Sequence, residues 1–165
     1  MMESRAIYPG SFDPITNGHV DIIERGFQIF DEIIIAVLEN PKKEPLFSTK
    51  ERVAMIRDIF SGRTNIRVIT FKGLLVDFAR DQKAQVVIRG LRAISDFEYE
   101  LQMALMNRNL APGVETLFMM PNVKYSFLSS NLVREIALLG GSVSGLVPER
   151  VARRLQQKIA RSEKG

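Results

Sequence analysis

The chain has 165 residues, 45% hydrophobic and 25% charged, with a net charge of +4. That is the balance of one globular domain and excludes a disordered, collagen-like or coiled-coil chain. It has no cysteine and one histidine, His19, which excludes a disulfide scaffold, a thiolate nucleophile, an iron–sulfur cluster, a Cys-rich zinc site and any mechanism needing two imidazoles in one chain.

Residues 5–9 read as a short strand. Val20, Ile23, Phe27 and Phe30 fall at helical spacing and predict a helix over 17–30. The run Ile33-Ile34-Ile35-Ala36-Val37-Leu38 suits a strand, 32–38, buried on both faces. It is far shorter than the ~18 apolar residues of a membrane span. Ser48 with Glu51 makes a capping box that opens a helix through Phe60. A strand over 65–70, a helix over 74–80 and a strand over 85–89 follow. Ser95 with Glu98 has the pattern of a second capping box, predicting a helix over 95–110 that Ala111-Pro112-Gly113 stops. Phe97, Leu101, Ala104 and Leu105 form one stripe of it, and Met103, Met106 and Leu110 a second. A helix apolar on two sides buries both, either inside the monomer or with one side against a partner subunit.

The fifth strand spans 116–120. Ser129 or Ser130 caps a helix ending at Gly140-Gly141, and Pro148 opens the last helix. Strict alternation predicts an α/β fold. The expected architecture is a single Rossmann-like domain over 1–165: a five-stranded parallel sheet, helices on both faces, and a C-terminal helical extension over 148–165. That extension holds six basic and two acidic residues, which is the whole net charge. A solvated helix with cations near its negative end accounts for it. No aromatic residues interleave the charges, as a platform for single-stranded nucleic acid would want. The first residues, Met1-Met2-Glu3-Ser4-Arg5, do not make a secretory signal, so the cytoplasm is the expected compartment.

Open parallel sheets bind ligands beyond the carboxyl ends of their strands. After the first strand comes Pro9-Gly10-Ser11-Phe12-Asp13-Pro14-Ile15-Thr16-Asn17-Gly18-His19. This tight turn feeds a helix whose first turn holds Gly18 and His19. Helix N-terminal N–H groups and the positive dipole end suit a phosphate, glycine admits it closely, and the imidazole adds a donor. The turn is neither G-x-G-x-x-G nor G-x-x-x-x-G-K-[ST], which argues against a dehydrogenase or a P-loop NTPase. The later strands lead into Asn40-Pro41-Lys42-Lys43, Thr70-Phe71-Lys72-Gly73-Leu74-Leu75, Arg89-Gly90-Leu91-Arg92 and Asn122-Val123-Lys124-Tyr125-Ser126-Phe127-Leu128-Ser129-Ser130-Asn131. Each alone has an ordinary explanation as a solvated lysine, a structural ion pair or a helix cap. Together they place cations and phosphate-suited backbone on one edge of the sheet, as a polyphosphate site needs.

Gly10-Ser11-Phe12-Asp13-Pro14 with Thr16-Asn17-Gly18-His19 resembles the ATP-binding T/H-x-G-H signature of the nucleotidylyltransferase superfamily. Leu128-Ser129-Ser130-Asn131-Leu132-Val133-Arg134 resembles its I-S-S-T-x-x-R element. With Ile88-Arg89-Gly90-Leu91-Arg92-Ala93 and Asp96-Phe97-Glu98-Tyr99-Glu100, the chain from about Arg5 to the final helix resembles the branch that adenylylates 4′-phosphopantetheine. The resemblance implies AMP transfer from ATP to 4′-phosphopantetheine by direct in-line attack, giving dephospho-coenzyme A and pyrophosphate, the penultimate step of coenzyme A biosynthesis. It implies that His19 stabilises the transition state and that Ser11 orients the α-phosphate and the nucleophile.

The resemblance assigns Ser11, Phe12, His19, Gly90, Leu91, Arg92, Glu100, Tyr125, Ser126, Phe127, Leu128, Ser129, Ser130 and Asn131 to ATP. It assigns Ser11, Lys43, Leu75 and Arg89 to 4′-phosphopantetheine, with Lys42 exchanging for Lys43 if that loop shifts by one residue. It also implies Mg2+ accompanying ATP without a protein metal site, coenzyme A as a feedback inhibitor, a homohexamer, and neither nucleic acid nor membrane as partner. Relatives acting on nicotinamide mononucleotide or a flavin, or moving cytidylyl groups to a phospho-alcohol, would use Gly18-His19 in the same way and differ at Lys43, Leu75 and Arg89. The charge of the working imidazole stays open, because the helix N-terminus favours the neutral ring and a triphosphate the cation.

Overall fold

A computed structural model describes residues 4–40 and 44–162. Its strands are β1 (Arg5–Gly10), β2 (Glu32–Leu38), β3 (Ile66–Phe71), β4 (Val86–Gly90) and β5 (Glu115–Met119). All pair in parallel in the order β3-β2-β1-β4-β5, with Gly10 beside Val37, Leu38 beside Phe71 and Gly90 beside Met119. The five carboxyl ends therefore share one edge. Each strand lies within a residue of its expected span.

The β-branched strands feed two cores. Tyr8, Ile33, Ile35, Val37 and Ile88 face one side of the sheet, and Ile7, Ile34, Ala36 and Val87 the other. A one-residue slip would exchange the two sets, so the register of β1 and β2 is tightly specified. On the first side pack α1 (Asn17–Gly26), α2 (Thr49–Ile59), α5 (Ser130–Leu138) and α6 (Glu149–Ser162); on the second, α3 (Leu75–Asp81) together with Ala111 and Val114, which follow α4 (Ile94–Leu110).

Two local expectations are corrected. Helix α1 ends at Gly26 and does not reach residue 30. A β-carbon at Gly26 would lie 2.6 Å from Ile33 Cδ1, so glycine lets the helix end sit on β2. The chain then turns, with Gln28 N–H donating to the Arg25 carbonyl and Ile29 N–H to that of Gly26. Phe27 and Phe30 still reach the core from this turn, which is why the apolar spacing outlasts the helix.

Helix α4 starts at Ile94 with Ala93 as N-cap and no capping side chain. Ser95 therefore falls inside the helix and not at its cap, and Asp96 in the first turn pairs with Arg92 at 3.3 Å. The two apolar stripes of α4 are not buried within the monomer: Phe97 is 45% exposed, and Leu105 and Met106 are each 54% exposed.

Elsewhere the caps form as read. Ser48 N–H donates to Glu51 at 2.7 Å and Glu51 N–H to the Ser48 hydroxyl at 3.3 Å. Ser129, not Ser130, caps α5, accepting from Leu132 N–H at 3.1 Å. The basic C-terminal helix buries Val151 and Leu155. Lys158 pairs with Glu51 at 2.9 Å, Arg154 with Asp58, and Arg153 with Glu149. Much of its charge thus goes to exposed or half-exposed ion pairs, which stabilise little, while the buried stripe holds the helix. Among the described residues no helix is long and apolar enough to cross a membrane.

Candidate active site

The strand order changes direction between β1 and β4, the switch point at which open α/β sheets place their ligands. A cleft of about 300 Å³ opens there, walled by the ends of β1 and β4, the first turn of α1, Arg92, Tyr125 and the start of α5. A second recess of about 490 Å³ adjoins it, walled by Ser11, Leu38, Phe71, Leu75, Tyr99 and Met103. The two share Pro9, Gly10, Arg89 and Glu100.

The first turn of α1 is built around His19. Thr16 is the N-cap, and its hydroxyl accepts from His19 N–H at 3.4 Å. In return Thr16 N–H donates to His19 Nδ1 at 3.0 Å. This is a capping box in which histidine fills the place of Glu or Gln. An Nδ1 that accepts a backbone N–H carries no proton, so the neutral ring holds its proton on Nε2, the nitrogen left for a ligand. Phe12 and Tyr8 flank the ring at centroid distances of 5.0 and 6.3 Å. Burial, then Arg92 and Arg89, push the imidazole down from 6.5 to about 4. The free protein therefore presents a neutral Nε2–H donor. Burial also holds the Tyr8 hydroxyl well above its usual range, so it stays protonated.

Arg89 and Glu100 form a two-pronged pair, Nε to Oε2 at 2.8 Å and Nη2 to Oε1 at 2.7 Å. Glu100 is 8% exposed. The cation between the two clefts is thereby fixed in place. Arg92 donates through Nη1 to the Leu128 carbonyl at 2.9 Å, tying the end of β4 to the turn before α5. Arg134 donates to the Asp13 carbonyl and to Asn131 Oδ1. With its oxygen taken, Asn131 keeps its amide N–H groups for a ligand. The Ser130 hydroxyl donates to the Pro14 carbonyl at 2.7 Å.

Of the residues expected at ATP, His19, Gly90, Arg92, Glu100, Tyr125, Leu128, Ser129, Ser130 and Asn131 line the first cleft. Ser11, Leu75 and Arg89 line the second recess. Ser11, Phe12, Leu91, Ser126 and Phe127, also expected at ATP, do not line the first cleft: Ser11 faces the second recess, Phe12 is buried against His19, Leu91 N–H continues the ladder to the Met119 carbonyl, and Phe127 points to solvent. Gly90 also has a packing reason, since a β-carbon there would meet Ile22 Cδ1 at 2.6 Å. Lys42 and Lys43 lie outside the described residues. Sequence reasoning missed Thr16 as the partner of His19, for which the T-x-x-H spacing is a signal. It also missed Tyr8 and Arg52, for which no local pattern exists, and gave Asp13 no role although the signature contains it.

Gly18 separates fold from ligand. A β-carbon there would make only ordinary contacts, 3.6 Å from Thr16 Oγ1 and from Tyr125 Cβ. What it would displace is a ligand against the helix end. Gly18→Ala is expected to unfold within about 1 kcal/mol of wild type and to weaken ATP binding about tenfold or more. Thermal unfolding and calorimetric titration with ATP check this; unaltered ATP affinity would remove the nucleotide from this helix end.

The arrangement defines a class: a Rossmann-like nucleotide-binding domain with a neutral histidine and two arginines at the switch point. Residues 7–136 match the family model described as Cytidylyltransferase-like. A phosphopantetheine adenylyltransferase of Alkaliphilus metalliredigens is 58% identical over 92% of this chain and 97% of its own. Those of Geotalea daltonii (56%, over 94% and 97%) and Dictyoglomus thermophilum (53%, over 98% and 98%) are similarly related. The chain belongs to the phosphopantetheine adenylyltransferase family of nucleotidyltransferase enzymes. The fold is also that of a solved lipopolysaccharide core biosynthesis protein from Thermoplasma volcanium, with a TM-score of 0.55 at 20% identity over 73% of this chain and 98% of that one.

Proposed function

We propose that this chain moves AMP from ATP to 4′-phosphopantetheine, releasing pyrophosphate and forming dephospho-coenzyme A. The observation that carries the reading is the pair of clefts meeting at one wall, with His19 on one side and Ser11 and Leu75 on the other. ATP in the first cleft and the pantetheine arm in the second would bring the acceptor phosphate to the α-phosphorus at that wall. An acceptor phosphate oxygen bonds to the α-phosphorus. The bond from the α-phosphorus to the bridging oxygen breaks, and its electron pair leaves with pyrophosphate. Negative charge grows on the non-bridging oxygens, and the Nε2–H of His19 at the positive end of α1 donates to it. Positioning and charge stabilisation suffice for such a displacement, and no enzyme nucleophile is required.

Arg92, Tyr125, Ser129, Ser130 and Asn131 hold the nucleotide in this reading. Arg89 and Ser11 hold the acceptor phosphate, with Lys43, and Leu75 supplies apolar contact to the arm. Asp96 and Glu100 are engaged by Arg92 and Arg89, and among the described residues no three His, Asp or Glu side chains converge. These donors fit an Mg2+ held by the triphosphate and water, where it would supply neutralising charge. Coenzyme A carries both an adenine nucleotide and a pantetheine arm, so it would span both clefts and inhibit. The exposed apolar stripes of α4 favour a homo-oligomer, a hexamer in this reading, working in the cytoplasm.

The test is ATP-dependent pyrophosphate release with 4′-phosphopantetheine. One pyrophosphate and one dephospho-coenzyme A per turnover are expected. Pyrophosphate without that product would overturn the reading.

A further inference from the structure

Arg52 lies in the first turn of α2 and is 3% exposed. A buried guanidinium ordinarily pairs with a carboxylate. Here the hydrogen bonds shown go elsewhere. Nε donates to the Phe47 carbonyl at 3.1 Å, and Nη2 to Thr49 Oγ1 at 3.0 Å. Nη1 donates to the Ser11 carbonyl at 2.6 Å and the Leu38 carbonyl at 3.1 Å. Asp13 and Glu39 supply balancing charge at longer range.

The three carbonyls are far apart in sequence and mark the turn after β1, the end of β2, and the residue before the α2 cap. The chain that leaves β2 at Leu38 thus returns to the same guanidinium at Phe47. Asp13 holds the return point from the other side, accepting Leu46 N–H and Phe47 N–H at 2.9 Å each. Ser11 lines the acceptor recess and a smaller one of about 160 Å³ beside Asn131 and Arg134.

We propose that Arg52 is a positioning residue for the transfer: by holding the Ser11, Leu38 and Phe47 carbonyls together, it sets where Ser11 stands against the acceptor. The proposal rests on the functional reading above. A displacement of 1 Å can cost about 10²-fold in rate, so a loosened Ser11 shows in turnover before it shows in nucleotide affinity. Lysine cannot replace the fork, because an ammonium is a point charge with three donors on a shorter reach.

The test compares Arg52→Lys and Arg52→Met, each with and without Ser11→Ala, by steady-state kinetics, calorimetric ATP binding without acceptor, and thermal unfolding. Arg52→Lys is expected to lower kcat about 30-fold or more while ATP affinity stays within about twofold. Ser11→Ala, costing about tenfold alone, should add less than about threefold in that background, since the two act through one position. Arg52→Met should behave as Arg52→Lys does. Wild-type turnover in Arg52→Lys would overturn the proposal. So would losses that multiply in full. Loss of both ATP binding and cooperative unfolding in the two variants would overturn it too, because Arg52 would then serve the fold alone. Wild-type protein that makes no pyrophosphate with 4′-phosphopantetheine overturns the functional reading itself, and that result is read before any variant is assayed.

Discussion

His19→Ala is expected to lower kcat by about 10²–10³, the cost of removing one preorganised donor to developing charge, while ATP affinity falls no more than about threefold. The unequal loss is the signature of the proposed role, in which the Nε2–H contact strengthens as charge builds on the transferring phosphate. The same substitution orphans Thr16 N–H, which His19 Nδ1 accepts at 3.0 Å, and should destabilise the protein by about 1 kcal/mol. His19→Gln keeps an acceptor at the third helical position and so keeps the cap. It should restore stability while kcat stays at least about tenfold down. Equal losses in kcat and ATP affinity would make His19 a binding residue only.

The imidazole also carries a pH signature. Its folded value of about 4 lies below the ordinary 6.5, so the unfolded chain binds the proton more readily between the two. The stability contributed by the neutral ring is present above pH 6.5 and is lost as pH falls toward 4. Nitrogen NMR of the free protein should show Nδ1 as an acceptor and a midpoint near 4, and His19→Gln should remove that part of the acid limb of stability. A midpoint at the ordinary value would mean that the ring is not held as described.

Arg89→Ala should produce the largest loss of stability at the site. It strands Glu100 with no cation in a buried position. Breaking a buried pair costs about 3–5 kcal/mol, and the lower end applies because the Arg89 side chain is 33% exposed. The melting temperature should fall by roughly 6–12 °C. The double variant Arg89→Met/Glu100→Leu should recover much of that stability, since an apolar pair can replace a buried ion pair. Activity should not return with it, because the cation shared by both clefts is gone. Recovery of both would make the pair part of the fold and not of the chemistry.

The parts of the fold that follow local rules were legible in the sequence. The β-branched run at Ile33–Leu38, the Ser48–Glu51 box and the Gly140-Gly141 stop each depend on neighbours in the chain. Helix α4 was misread at its start because the Ser95–Glu98 spacing satisfied a capping pattern, while the backbone entered the helix one residue sooner and Asp96 turned to Arg92. The apolar spacing of α1 ran past the true end because Phe27 and Phe30 bury from a turn as well as from a helix.

At the site, the strand-end rule led to His19, Arg89, Arg92 and the start of α5, since each lies at or beyond the carboxyl end of a strand. The supporting shell was not legible. Asp13 reaches Leu46 and Phe47 across 33 and 34 residues, and Arg52 reaches Ser11 across 41. Such side-chain-to-backbone bonds leave no periodic trace. His19 was legible as a donor, but its tautomer was not, because that depends on where the Thr16 N–H points.

The most direct measurement is pyrophosphate release from ATP with 4′-phosphopantetheine, nicotinamide mononucleotide, flavin mononucleotide or no acceptor, run side by side on the full chain. Release with 4′-phosphopantetheine alone, with dephospho-coenzyme A as the co-product, is the predicted result. Release with a mononucleotide and not with 4′-phosphopantetheine would contradict it, keeping the chemistry of the His19 cleft and overturning the acceptor assignments at Ser11, Lys43, Leu75 and Arg89.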